Sequence, residues 1–154
     1  MFIRVSDALS ADSVLVQPAW EGLGETISGL VGLLAAAGRI PAELAPKTIR
    51  LIQDREAVAS TAMVDIGVSI PHARLEGITG IVAAMAVSPR AVYEAGDRLP
   101  ISIVVLVLSS PTLAGEHLGF LARLSMLLQS GRFRHSIRNA ATPEEVARLI
   151  RANE

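Results

Sequence analysis

Three side chains in this sequence have the types and settings that chemistry needs. His72 follows Ile70-Pro71 in the stretch Gly67-Val68-Ser69-Ile70-Pro71-His72-Ala73-Arg74. Proline lacks an N–H and disfavours helix at the residue before it, so the chain enters His72 extended. Small neighbours, Ser69 and Ala73, leave the ring accessible. An imidazole that titrates near neutrality can act as a nucleophile, an acid–base group or a metal ligand. The plainer alternative is a surface-loop histidine following a strand. His117 comes after Gly115-Glu116 at the start of a predicted helix. There the positive end of the helix dipole disfavours protonation and free backbone amides can meet an anion. It could equally be a histidine that only caps the helix. Arg55, with Glu56, closes another predicted helix. Its planar guanidinium suits phosphate, although a solvated arginine at a helix C-terminus is the common case. His135 stands among Arg132, Arg134 and Arg138, which reads as a solvated basic face without a role.

Several other chemistries find no support. The chain has no cysteine, which removes disulfides, thiolate metal sites and cysteine nucleophiles. The histidines show no HxH or HxxxH spacing; a site of His72 and His117 with Asp65 or Glu116 is the weak metal alternative. No Gly-x-Ser-x-Gly elbow, Walker loop or dinucleotide glycine motif occurs. A phosphoryl group handled here is therefore expected on a side chain and not as part of a nucleotide, with no cofactor and no metal.

The frame that must position these residues is aliphatic. Of 154 residues, 51% are hydrophobic and 3% aromatic, enough for one domain spanning 1–154 with a true core. A formal net charge of -1 gives no argument for nucleic acid. The start, Met1-Phe2-Ile3-Arg4, shows no signal-peptide pattern, and the apolar runs fall short of the roughly 20 residues that span a bilayer. A cytoplasmic protein without membrane insertion is expected.

Along the chain, Val14-Leu15-Val16-Gln17 before Pro18 reads as a short strand ended by the proline. A helix is predicted over Trp20 to Ala37, with Gly38 as its C′ residue. A second runs from Pro41, or from Pro46, to about Glu56. Ala57 to Ser69 reads as a connection. The runs Ile81 to Val87 and Ile101 to Leu108 read as central strands buried on both faces, with Glu94 to Arg98 a turn between them. Helices follow over Glu116 to Gln129, Phe133 to Asn139, and from Thr142-Pro143-Glu144-Glu145 to Arg151. The order predicts an α/β fold: a mixed β-sheet flanked by helices on both faces.

Taken together, Arg55-Glu56, Ser60-Thr61, Gly67-Val68-Ser69-Ile70-Pro71-His72, Gly115-Glu116-His117-Leu118 with Leu121-Ala122-Arg123-Leu124, and the closing Thr142-Pro143-Glu144-Glu145-Val146 resemble a known family. It is enzyme IIA of the PEP-dependent phosphotransferase system, in the fructose/mannitol and nitrogen-regulatory class. The resemblance runs from about Trp20 onward. It implies the family's mixed-sheet fold, and it implies that His72 accepts a phosphoryl group on Nε2 from an HPr-like phosphocarrier. His117 would bond to the phosphoryl oxygens and Arg55 would bind the phosphate. The partner downstream would be a sugar permease component or regulatory target proteins. The lack of a fused permease or carrier segment tilts towards regulation. The remaining alternatives are a non-phosphorylated regulatory binding module on the same scaffold and a histidine metal-binding protein. One stretch departs from the pattern: Ala62-Met63-Val64-Asp65-Ile66-Gly67 is bulkier than the Gly-rich passage usual there. A carrier with a basic contact face would call for an apolar docking surface with an acidic rim, to which Glu76, Glu94 and Glu116 could contribute.

Overall fold

Two apolar seven-residue runs build the centre of the fold, as seen in a computed structural model that describes residues 3–154. Met1 and Phe2, the first residues of the Met1-Phe2-Ile3-Arg4 stretch read above, lie outside the described residues. The chain opens with α1 (Val5–Ala8) and β1 (Val14–Val16), then α2 (Gly22–Ala36) and α3 (Ala45–Val58). Next come the short strands β2 (Ala62–Met63), β3 (Val68–Ser69) and β4 (His72–Arg74), followed by the long β5 (Ile81–Val87). A hairpin of β6 (Tyr93–Ala95) and β7 (Leu99–Ile101) leads into β8 (Ile103–Ser109). The chain closes with α4 (Ala114–Gln129), α5 (Gly131–Arg138) and α6 (Pro143–Asn153).

The sheet is mixed, in the order β1-β5-β8-β3-β2 with β4 also on β8. β5 and β8 are antiparallel, β1 is parallel to β5, and β3 and β4 both run parallel to β8. Alternation along the two long strands divides the interior. Ala83, Met85, Val87, Ile103, Val105 and Val107 face a core completed by α1, α4, α5 and α6. Val82, Ala84, Ala86, Val104, Leu106 and Leu108 face a second core completed by α2 and α3. Strands apolar at every position are what a sheet covered on both faces requires, so the predicted layering holds.

Local signals explain the helix ends. Gly38, at φ 72°, lets the amides of Gly38 and Arg39 return to the carbonyls of Ala35 and Leu34 at 3.1 and 2.9 Å. This is a Schellman closure, which favours glycine at the left-handed position. Pro46 sits in the first turn of α3, and the residues from Pro41 form a 3-10 turn ahead of it. Thr142 Oγ1 accepts from the Glu145 amide at 3.1 Å and so caps α6, and the Glu145 carboxylate accepts from the Ala141 amide at 3.1 Å, tying down the residue before the cap.

Several expectations are corrected. The run Ile101 to Leu108 is not one strand, because β7 ends at Ile101 and β8 begins at Ile103, and Glu94 and Ala95 of the predicted turn belong to β6. Ala57 to Ser69 is not a plain connection, because β2 and β3 pair within it as a hairpin. His72 is not on a loop, because it opens β4 opposite Val107. β3 and β4 keep one register against β8, interrupted only at Ile70-Pro71. There the Pro71 carbonyl still accepts from Val107 N at 2.9 Å, while proline has no amide to return. The bulky residues Val64 to Ile66 form the hairpin turn, closed by Gly67 N to the Met63 carbonyl at 2.9 Å. Gly67 has φ 68° there, which a side chain would strain. This turn lies at the far end of the strand, about 16 Å from His72 at the rise of an extended chain.

Candidate active site

β2 pairs with β3 only over Ala62 and Met63, so β4 forms the sheet edge beyond it. Side chains two apart on a strand share a face. His72 and Arg74 therefore project together, while Ala73 turns into the core under α2 and α3. α3 reaches this edge from one side and α4 from the other. A cleft of 280 Å³ between them is lined by Leu51, Arg55, His72, Ala73, Arg74, His117, Leu118 and Leu121. A second, of 450 Å³, is lined by Asp54, Arg55, Glu56, Val58, Ala59, Ser60, Thr61 and His72. His72 and Arg55 belong to both. The structure thus brings together His72, Arg55 and His117, the three residues singled out from the sequence.

His72 is half-buried, and its Nδ1 lies 2.8 Å from the carbonyl oxygen of Ile70. A carbonyl can only accept, so Nδ1 carries the proton and donates. The lone pair is then on Nε2. The Ile70 carbonyl is free to accept because the Pro71 carbonyl is the one that bonds β8, which leaves that of Ile70 facing the edge beyond β2.

His117 sits in the first turn of α4 and is buried, at 5% exposure. Its Nδ1 is 2.5 Å from Oγ of Ser109, the last residue of β8. The two imidazole centroids are 5.6 Å apart with the rings tilted by 49°. Burial holds the His117 pKa below the ordinary histidine value; a proton on His72, were it present, and the charges of Arg74 and Arg55 add to that. The ring is neutral at physiological pH.

Arg55, in the last turn of α3, is exposed at the cleft. Its neighbour Glu56 is buried, and its carboxylate accepts from Thr61 N at 3.2 Å and from Thr61 Oγ1 at 2.7 Å. Ser60 Oγ in turn accepts from Ala62 N at 3.1 Å. These bonds tie the Ser60-Thr61 corner to the end of the helix that carries Arg55.

Sequence reasoning missed Arg74 and Ser109 as members of the site. Arg74 was legible only once His72 was seen to lie in a strand, since the spacing of two then places both on one face. Exposed apolar side chains, Val58 and Leu118, flank His72 in the two clefts. The acidic residues lining them are Asp54 and Glu56; Glu76, Glu94 and Glu116 line neither. His135 is exposed on α5 and lies outside both. Among the described residues no three His, Cys, Asp or Glu side chains cluster as a metal site, and no helix is long and apolar enough to cross a membrane.

A family model described as "Phosphoenolpyruvate-dependent sugar phosphotransferase system, EIIA 2" matches residues 7–153. Among curated proteins, Multiphosphoryl transfer protein 2 of Escherichia coli is 26% identical over 144 residues, covering 92% of this chain but 17% of its own length. A Nitrogen regulatory protein of Bradyrhizobium diazoefficiens is 28% identical over 126 residues, covering 81% of this chain and 80% of its own. Among solved structures, the nitrogen regulatory protein IIA-Ntr of Neisseria meningitidis superposes with a TM-score of 0.81 at 21% identity, covering 95% of this chain and 98% of that one. The sheet order, the two helical layers and the family match agree, and the chain belongs to the EIIA 2 family of the phosphoenolpyruvate-dependent sugar phosphotransferase system, as a phosphotransferase component.

Proposed function

We propose that residues 1–154 act as one phosphoryl-carrier domain in which His72 is the acceptor. The phosphoryl group comes from an HPr-like phosphocarrier protein. It passes to a sugar permease component, or stays on His72 as a signal read by regulatory target proteins. The observation that carries this reading is the bond from His72 Nδ1 to the Ile70 carbonyl, which leaves Nε2 as a nucleophile on an accessible edge strand.

The chemistry balances without metal or nucleotide. The Nε2 lone pair attacks the phosphorus of a donor phosphohistidine in line. The new P–N bond forms as the donor's P–N bond breaks, and the donor imidazole recovers its lone pair. Such transfers depend on positioning and on charge stabilisation. Arg55 supplies a guanidinium at the cleft, and neutral His117 supplies a ring edge without competing for the phosphoryl group. Val58 and Leu118 offer an apolar rim on which a carrier can close and exclude water.

The test is incubation with phosphoenolpyruvate, enzyme I and HPr, followed by detection of acid-labile protein phosphate. Label is expected on the wild type, absent from His72→Ala, and slower to appear in His117→Gln and Arg55→Ala. Label persisting in His72→Ala would overturn the assignment. No label on the wild type would favour a non-phosphorylated binding module. Addition of a fructose/mannitol-type permease B component separates the branches: discharge of the label marks sugar transfer, and retention marks regulation.

A further inference from the structure

Ser109 is fully buried at the end of β8, and its Oγ has one hydrogen-bond partner among the described residues, His117 Nδ1 at 2.5 Å. A serine hydroxyl carries a single proton. If His117 held its ring proton on Nδ1 and donated to Oγ, the Ser109 O–H would be a buried donor without an acceptor. Leaving such a group unpaired costs more than the bond itself returns. With the hydroxyl donating to Nδ1, both groups are satisfied and the ring proton resides on Nε2.

We propose that Ser109 is a positioning residue that locks His117 in the Nε2–H tautomer, so that the ring edge away from Ser109 offers a donor to an anion held at His72. The proposal rests on the reading of His72 as phosphoryl acceptor. It makes the two histidines complementary. The Ile70 carbonyl takes a hydrogen bond from His72 Nδ1 and leaves a lone pair on Nε2. The Ser109 hydroxyl gives one to His117 Nδ1 and leaves a proton on Nε2. The opposite tautomer of His117 would turn a lone pair towards phosphoryl oxygens, and the contact would be repulsive. The lowered pKa of His117 agrees, since a neutral ring has a tautomer to choose.

The experiment uses the full chain with nitrogen-15-labelled histidine; the sequence has 3 histidines, so the spectrum is sparse. Long-range proton–nitrogen correlation distinguishes a protonated from an unprotonated ring nitrogen. Wild-type His117 is expected to show Nε2 protonated and Nδ1 bare. Ser109→Ala is expected to lose that single tautomer and to slow phosphorylation of His72 about five- to tenfold, the worth of one net hydrogen bond, with KM for the carrier unchanged. Ser109→Thr, which keeps the hydroxyl, should restore both readouts. A protonated Nδ1 in the wild type overturns the proposal whatever the variants do. So does a Ser109→Ala protein with unaltered tautomer and rate. A wild type that accepts no phosphoryl group would sink the carrier reading while leaving the tautomer measurement to stand or fall alone.

Discussion

Glu56→Gln tests whether the corner beside His72 is held by the contacts described. The Glu56 carboxylate, at 8% exposure, accepts from the backbone amide and the hydroxyl of Thr61. Hydrogen bonds to a charged group are worth about 1.5–3 kcal/mol each. The glutamine oxygen can keep the Thr61 amide and its NH2 can donate to Thr61 Oγ1, so both contacts survive as neutral bonds and the loss is their charge assistance, a cost of about 2 kcal/mol. For a chain of this size that corresponds to a fall in Tm of about 4–8 °C.

Stability alone would not identify the contact, so the assay is a double-mutant cycle with Thr61→Val, read by urea unfolding. Each single change removes the same hydroxyl–carboxylate bond, and the pair should therefore show a coupling of about 1 kcal/mol. Tyr93 gives an independent readout. It is the chain's one tyrosine, so its absorbance titration reports this site alone. Burial raises the Tyr93 pKa, the Ser69 hydroxyl opposes that, and the negative charge of Glu56 adds to the rise. Neutralising Glu56 should lower the titration midpoint. A coupling below about 0.3 kcal/mol, within the additivity of independent sites, together with an unmoved tyrosine titration, would refute the account of this corner.

Arg74→Ala should slow phosphorylation of His72 severalfold, less so as salt is raised, because an exposed guanidinium acts through a screened field; equal rates at low salt would remove Arg74 from the site. Urea midpoints should fall as pH drops through about 6.5, because the unfolded chain protonates His117 near that ordinary value while the folded state resists it. Stability is thus present above that value and lost as pH drops towards the depressed folded pKa, and His117→Gln should flatten the slope. A Cβ at Gly29 would collide with the ring of Trp20, the chain's one tryptophan, so Gly29→Ala should shift its fluorescence and destabilise α2.

What the sequence disclosed is what local chemistry decides. The apolar runs of β5 and β8 and the Thr142-Pro143 start of α6 each carry their signal within a few residues. The helices from α2 onward came within about four residues of their observed starts, α1 was not foreseen, and the misplacement of α3 traces to two prolines that both suit a first turn. β4 was hidden for the opposite reason. His72-Ala73-Arg74 has no apolar alternation, and its extended form is held by a ladder to β8, far along the chain. The partnership of Ser109 with His117 was equally out of reach, since nothing in Ser109-Ser110-Pro111 says which hydroxyl turns inward.

The interruption at Ile70-Pro71 links these observations. Carbonyls alternate in direction along a strand; that of Pro71 bonds β8, so that of Ile70 faces the open edge beyond β2 and is free for His72. A loop would leave the imidazole free to take either tautomer. The strand at this edge, in unchanged register across the dipeptide, does not. It keeps His72 and Arg74 on the face that meets α4 and brings the Ile70 carbonyl to Nδ1. It also places them at the edge where α3 presents Arg55. Proline at position 71 is therefore as much a part of the candidate site as the histidine it precedes.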